Sequence, residues 1–318
     1  MKKDDIKIIF FGTPEFAAVI LKSLIENKFD IAAVVSQSDK KAGRRRETMI
    51  SPVKKLAIGN KIKIFQPASL RDRKIIRKIR EIGADLFIVA AYGKILPKEI
   101  LEIPKFGAVN IHASLLPKYR GASPVQCAIL AGEKETGITL ILMNEKMDEG
   151  DILMQKKIEI GEDETSNTLL DKLSGLGAKM TVKFISGWIG GKIKPTPQSR
   201  EKATYCKPIQ REDGRIDWNS AAEEIYRRWR AYQPWPGIFS ALNLGNRQKR
   251  IKLSEVGIFP DIETGKKTGK IIKYNGNIAV QAGKGLVILK KIQLEGKKEV
   301  NVEDFVKGYS GFIGTSFA

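Results

Sequence analysis

Cysteine occurs twice and histidine once in 318 residues. Cys127 and Cys206 stand far apart, and no Cys-x-x-Cys or Cys/His cluster exists, so neither a disulfide framework nor a zinc or other metal site has a basis in the spacing. Long apolar runs are missing as well. Nothing approaches the roughly 18 apolar residues of a membrane span, and the opening MKKDDIK carries acids where a secretory or transit peptide has none. A cytoplasmic chain with no membrane association is the expectation. The nucleotide fingerprints are absent too: the first glycine turn reads FFGTPEF, which is neither Gly-x-Gly-x-x-Gly nor Gly-x-x-x-x-Gly-Lys-Ser/Thr. Without a Gly-x-Ser-x-Gly elbow, hydrolase chemistry also has no anchor.

Acid is the scarcer charge. Against 56 Lys+Arg there are 36 Asp+Glu, a net charge of +20. An excess of that size favours a polyanionic partner, because clustered Lys and Arg release counterions from nucleic acid or steer acidic ligands. Residues 207–318 hold 20 Lys+Arg and 12 Asp+Glu, net +8, which leaves +12 for residues 1–206. The excess is therefore spread over the chain. Its densest piece is KKAGRRRETMISPVKK, in which Lys40, Lys41, Arg44, Arg45, Arg46, Lys54 and Lys55 face only Glu47.

With 42% hydrophobic and 29% charged residues, the chain has the composition of a globular protein. Over the first two-thirds, short apolar runs alternate with amphipathic stretches. IKIIFFG reads as a buried parallel strand, and EFAAVILKSLIE as a helix with Phe16, Ile20 and Leu24 at helical spacing. IAAVVSQ, IKIFQ, ADLFIVAAY, GAVNIHA and GITLILM are further strands, with helices over 51–58, 72–82 and 165–188. This alternation predicts an α/β fold with a doubly wound, Rossmann-like parallel sheet, in which ligands bind beyond the carboxyl ends of the strands. The domain occupies 1–189. Residues 190–206, polar and with Pro195 and Pro197, read as a linker. Residues 207–318 open with the helix SAAEEIYRRWRAY and continue as short strands with turn signals, Asn275-Gly276 the clearest, which predicts a smaller OB-like antiparallel β-barrel domain with a further helix near 302–306.

Chemistry concentrates in GAVNIHASLLPKYRG and GITLILMNEKMDEGDIL. Asn110 and His112 lie two apart on a strand and so share a face. Polar residues at the end of an otherwise apolar strand carry a desolvation cost unless they are used. Three acids, Asp148, Glu149 and Asp151, follow another strand in a glycine-containing loop. An amide, an imidazole and a carboxylate on adjacent strand ends can stabilise an oxyanion and move a proton.

Together, Asn110, His112, the SLLPKYRG turn and the MDEGDIL loop resemble the signature of the 10-formyltetrahydrofolate-dependent formyltransferases. FFGTPEFA, AAYGKILP, IDW and PWPG extend the likeness along nearly the whole chain, toward the branch that formylates methionyl initiator tRNA. The resemblance implies Asn110, His112 and Asp148 as the catalytic trio of an acyl transfer to an amine. It also implies Ser114, Leu115, Leu116 and Pro117 as the folate contact, with Tyr92 and Gly93 lining the same pocket. The basic loop then meets the tRNA acceptor stem, with Arg44 the matched residue and Lys41, Arg45 and Arg46 beside it. Lys249, Arg250 and Lys252 are further candidates for backbone contact. The implied protein acts as a monomer on folate and tRNA, without a metal.

Two rival readings keep part of this. A formyltransferase acting on an amino group of a nucleotide-linked sugar would share the trio but needs no extended basic surface. A catalytically silent RNA-binding module would share the charge but has no use for the trio.

Overall fold

The computed structural model describes residues 6–42, 47–244, 247–309 and 311–317. Arg44, Arg45 and Arg46 lie outside the described residues, as does the side chain of Lys41. The chain divides into two units: Met1–Val125, Lys134–Ile160 and Thr168–Lys207 form the first, and Gln126–Glu133, Gly161–Asn167 and Pro208–Ala318 the second.

The first unit begins with β1 (Lys7–Gly12), α1 (Glu15–Glu26) and β2 (Asp30–Val35). A short hairpin, β3 (Lys40–Ala42) and β4 (Glu47–Met49), carries the basic loop; α2 (Pro52–Gly59), β5 (Ile64–Phe65), α3 (Arg73–Glu81), β6 (Leu86–Ala90) and α4 (Lys98–Leu101) follow. Next along the chain come β7 (Ala108–His112), β8 (Arg120–Gly121), α5 (Pro124–Leu130), which from Gln126 on belongs to the second unit, β9 (Glu135–Leu142), β10 (Asp151–Glu159), α6 (Ser166–Ile189) and β11 (Tyr205–Cys206).

Apolar periodicity accounts for most of this. β1 and β6 are buried on both faces, hence their unbroken apolar runs. α1 turns Phe16, Ile20, Leu21 and Leu24 inward. The side chain of Ser51 accepts a hydrogen bond from the Lys54 amide and opens α2, with proline in its first turn. Asp72 caps α3 in the same way through the Lys74 amide.

Seven strands form one sheet in the order β10-β9-β7-β6-β1-β2-β5. Five of them, β5, β2, β1, β6 and β7, are mutually parallel, and strand order reverses between β1 and β6. The expected parallel sheet needs one amendment: β9 runs antiparallel to β7, and β10 antiparallel to β9. β10 has no counterpart in the sequence reading, because this edge strand is largely exposed and mixes Lys and Gln with apolar residues. Residues 190–206, expected as a linker, carry strand pairing within the first unit: Thr196 bridges Ile152, and β11 lies parallel to β8.

The second unit contains α7 (Ala222–Ala231), β12 (Ile238–Leu244), β13 (Arg247–Phe259), β14 (Ile271–Tyr274), β15 (Asn277–Gln281), β16 (Leu286–Leu294), β17 (Glu299–Asn301) and α8 (Val302–Gly308). The strands form an antiparallel sheet in the order β12-β13-β16-β15-β14, with β17 added to β16. Irregular register around Glu255 bends the long β13. Bridges from Phe317 to Leu242 and from Ser316 to Lys270 bring the end of the chain to both edges of the sheet. Trp218 stacks on Phe317 at 5.3 Å and donates its indole N–H to Ser240 Oγ at 3.0 Å.

Candidate active site

β7 alternates Val109 and Ile111, buried on one face, with Asn110 and His112 on the other. Both polar side chains meet one carboxylate. Asn110 Nδ2 donates to Asp148 Oδ1 at 3.3 Å, and His112 Nδ1 lies 3.6 Å from Asp148 Oδ2. The Gly121 amide donates to the same Oδ2 at 2.8 Å. His112 is 6% exposed and the Asp148 side chain 13% exposed, so this cluster sits in a partly dehydrated setting where charge interactions are strong.

The histidine is oriented from its far side. Its Nε2 lies 2.9 Å from the Tyr119 carbonyl, which can only accept, so Nε2 carries a proton. Nδ1 is thereby left facing Asp148. The backbone of Tyr119 (φ 62°) and of Asp148 (φ 55°) is left-handed, as is that of Ala91 (φ 44°) just past β6. Such conformations cost on the order of 1–3 kcal/mol each and persist where surrounding structure enforces them.

Asp148 arrives by a route the sequence did not disclose. Because β9 is antiparallel to β7, the loop after it departs beside Ala108, where the Met143 amide bonds the Ala108 carbonyl. The loop then folds back so that Asp148 reaches the Asn110–His112 face. Gly150 at its end packs against Leu142 so closely that any Cβ would run into the Leu142 carbonyl. Of the three acids in the loop, Asp148, the one the resemblance implied, joins the cluster, and Glu149 pairs with Arg120 at 3.2 Å. Asp151 starts β10.

The SLLP turn is braced from within. Ser114 Oγ donates to the Lys118 carbonyl at 2.7 Å, Thr139 Oγ1 donates to the Ser114 carbonyl at 2.6 Å, and the Leu116 amide donates to Thr139 Oγ1. Gln155 Nε2 donates to the Leu116 carbonyl. Ser114 and Leu116 are buried, whereas Leu115 and Pro117 keep part of their surface. Leu115 and Pro117 therefore give the turn an apolar surface.

Tyr92 turns its ring inward. Its ring is 2% exposed and packs edge-on to Phe11 at 5.7 Å, and its carbonyl accepts from Thr13 Oγ1 and Gln37 Nε2. The side chain belongs to the core, and burial pushes its hydroxyl up to about 12. Gly93 is exposed, with the Gln37 amide crowding the position of a Cβ.

At the base of the basic hairpin, Lys54 Nζ donates to Asp39 Oδ2 at 2.5 Å and Gln66 Oε1 at 2.7 Å, and Gln66 Nε2 donates to Asp39 Oδ1. The hydrogen bond from Lys54 is the main cause that holds the Asp39 carboxyl below its usual range. Lys54 thus serves the hairpin's base instead of standing free. Among the described residues no group of His, Cys, Asp and Glu is arranged to hold a metal ion, and no helix is long and apolar enough to cross a membrane.

Two residues of this neighbourhood were not anticipated: Arg120, buried in the SLLPKYRG turn, and Gln198, inside the expected linker. The SLLPKYRG motif contains Arg120 without giving it a role, and no periodicity or motif marks Gln198.

A doubly wound sheet whose strand ends bring together an amide, an imidazole and a carboxylate can stabilise an oxyanion and move a proton, as an acyl-transfer enzyme requires. Comparison with known families agrees. The formyl transferase model matches residues 6–185, and the formyl transferase C-terminal domain model matches residues 208–310. The methionyl-tRNA formyltransferase of Caldanaerobacter subterraneus subsp. tengcongensis is 40% identical over 310 residues, covering 97% of this chain and 99% of that one. The methionyl-tRNA formyltransferase of Caldicellulosiruptor saccharolyticus is 43% identical over 309 residues, covering 95% and 96%. Among solved structures, the sugar 3N-formyl transferase WlaRD, determined in the presence of dTDP and 5-N-formyl-THF, matches the fold with a TM-score of 0.64 at 21% identity, covering 92% of this chain and 99% of that one. The chain belongs to the methionyl-tRNA formyltransferase family.

Proposed function

We propose that this enzyme transfers the formyl group of 10-formyltetrahydrofolate to the α-amino group of methionyl initiator tRNA, giving N-formylmethionyl-tRNA for translation initiation. The observation that carries the chemistry is the convergence of Asn110, His112 and the Gly121 amide on the Asp148 carboxylate. Near-full-length identity to methionyl-tRNA formyltransferases and the net charge of +20 carry the acceptor.

The folate supplies the formyl group: as the amine bonds to the formyl carbon through a tetrahedral intermediate, the bond from that carbon to folate N10 breaks, and the proton lost by the amine passes to N10, releasing tetrahydrofolate. Leu115 and Pro117, the turn positions with surface remaining, suit its flat apolar ring, backed by the buried Ser114 and Leu116. Asn110 is half-buried, and its amide stabilises the negative charge that develops on the formyl oxygen. The attacking α-amine has an ordinary pKa near 8, so a useful neutral fraction exists at neutral pH and no covalent nucleophile is required. His112, with Nε2 committed to Tyr119, exchanges the reaction's proton at Nδ1. Asp148 orients that ring and takes up positive charge from the amine.

Arg44, Arg45, Arg46 and Lys41 contact the tRNA from the hairpin, and residues 207–318 add backbone contacts. Phosphate contacts of this kind position the tRNA, whereas the unpaired end and methionyl group provide discrimination. The reaction runs in the cytoplasm, on a monomer, with catalysis in residues 1–189, without a metal. The test is transfer of labelled formyl from 10-formyltetrahydrofolate to methionyl initiator tRNA, beside free methionine and a nucleotide-linked amino sugar. Label on the tRNA alone is the expected result. Label on the sugar nucleotide with charged tRNA inert overturns the acceptor and leaves the trio.

A further inference from the structure

Arg120 is 2% exposed and makes four polar contacts in the first unit. Its Nε and one terminal nitrogen donate to Gln198 Oε1 at 3.2 and 2.9 Å. The other terminal nitrogen donates to Tyr205 Oη at 3.1 Å and pairs with Glu149 Oε1 at 3.2 Å. With its oxygen taken twice by a guanidinium, the Gln198 amide has one possible orientation, and its Nε2 points away from Arg120. That nitrogen donates to the Asp148 carbonyl at 2.8 Å and to the Gly150 carbonyl at 2.7 Å.

The two carbonyls flank Glu149, whose own side chain pairs with Arg120. The bend 148–150 is therefore held from both sides and from its middle. It is also the bend in which Asp148 adopts its left-handed backbone. Arg120 lies between Tyr119, whose carbonyl orients His112, and Gly121, whose amide holds the Asp148 carboxylate. One tripeptide thus reaches both proton-handling side chains.

We infer that Arg120 and Gln198 are positioning residues for the formyl transfer: Arg120 fixes the Gln198 amide, and Gln198 fixes the backbone of Asp148 so that its carboxylate faces His112 and Asn110. Gln198, from the segment expected as a linker, thereby positions a catalytic carboxylate. The inference rests on the catalytic role given to Asp148, and the test separates the two.

Gln198→Glu is the informative change. It preserves shape and the pairing with Arg120 but replaces the amide that donates to two carbonyls with a group that cannot. A displacement near 1 Å at reacting groups is worth up to about 100-fold in rate. Gln198→Glu is accordingly expected to lower kcat per folded molecule about tenfold to 100-fold, with KM for both substrates within about twofold and a lower unfolding temperature from the two carbonyls left without a donor. Tyr205→Phe removes only an outer contact and is expected to retain wild-type kcat. The deciding measurement is Gln198→Glu in an Asp148→Asn background. If Gln198 acts through Asp148, the second change adds no further loss; multiplied losses overturn the inference alone. Wild-type kcat in Gln198→Glu also overturns it, as does a loss fully explained by a smaller folded fraction. Asp148→Asn at wild-type rate overturns the reading of Asp148 and the inference with it.

Discussion

The Gly121 amide donates a 2.8 Å hydrogen bond to Asp148 Oδ2, the oxygen that faces His112. Gly121 has φ 113°, and a Cβ there would run into the Cys206 carbonyl of the neighbouring strand. Only glycine fits where β8 passes this close to β11.

Gly121→Ala is therefore expected to move the amide away from Asp148. Left-handed backbone alone costs roughly 1–2 kcal/mol for a residue with a Cβ, and the collision adds to that. Thermal unfolding should show the destabilisation, and kcat of the folded fraction should fall by about tenfold, the worth of one charge-assisted hydrogen bond. A wild-type kcat in the folded fraction would remove Gly121 from the site.

Within the trio, each substitution tests a role. Asn110→Ala should lower kcat by about 100- to 1,000-fold, as loss of an oxyanion donor does elsewhere. His112→Asn should lower it by about 100- to 10,000-fold. Filter binding of methionyl-tRNA should stay near wild type in both. Formylation left intact in His112→Asn would end the assignment of the histidine.

Salt should report on the basic hairpin. Affinity for charged tRNA is expected to fall steeply with ionic strength, and each lost phosphate contact should lower the log–log slope by about one. Arg44→Ala, Arg45→Ala and Arg46→Ala, measured across a salt series, rank the three arginines. Binding by the wild type that ignores salt would take the hairpin out of the tRNA interface.

Alkaline stability should report on Tyr92. Burial raises its hydroxyl from 10.0 to about 12, so the folded state retains the proton more firmly than the unfolded chain. The corresponding stability is complete below about pH 10 and is lost as pH rises toward 12. The hydroxyl is also buried without a hydrogen-bond partner among the described residues. Tyr92→Phe is expected to be as stable as wild type or about 1 kcal/mol more stable at neutral pH, and to lose less stability between pH 10 and 12. Tyr226, also raised to about 12 mainly by burial, titrates in both proteins and cancels in the comparison. Denaturant unfolding at pH 8 and pH 11 measures the difference, and an equal loss in both proteins would contradict the core placement.

Apolar periodicity made the central strands and α1 legible, because a strand buried on both faces must be apolar along its length. β10 escaped for the opposite reason: an edge strand need not declare itself in composition. Asn110 and His112 were legible as a pair since two residues on one strand share a face whatever the fold. The direction of the Tyr92 ring was not legible, because a residue just past a strand can turn to either side, and here packing against Phe11 turns it inward.

Local order and chemistry, then, belong to the sequence: the parallel strands, the polar pair on β7, the acids after β9, the excess of positive charge and the family motifs. Direction and distance belong to the tertiary structure. The antiparallel turn of β9, the approach of the Asp148 carboxylate to Asn110, and the reach of Gln198 to the backbone at 148 and 150 join groups 27 to 50 positions apart. Side-chain identity states what a group can donate or accept, but only the packed chain determines which groups come within about 3 Å, the range at which a hydrogen bond forms.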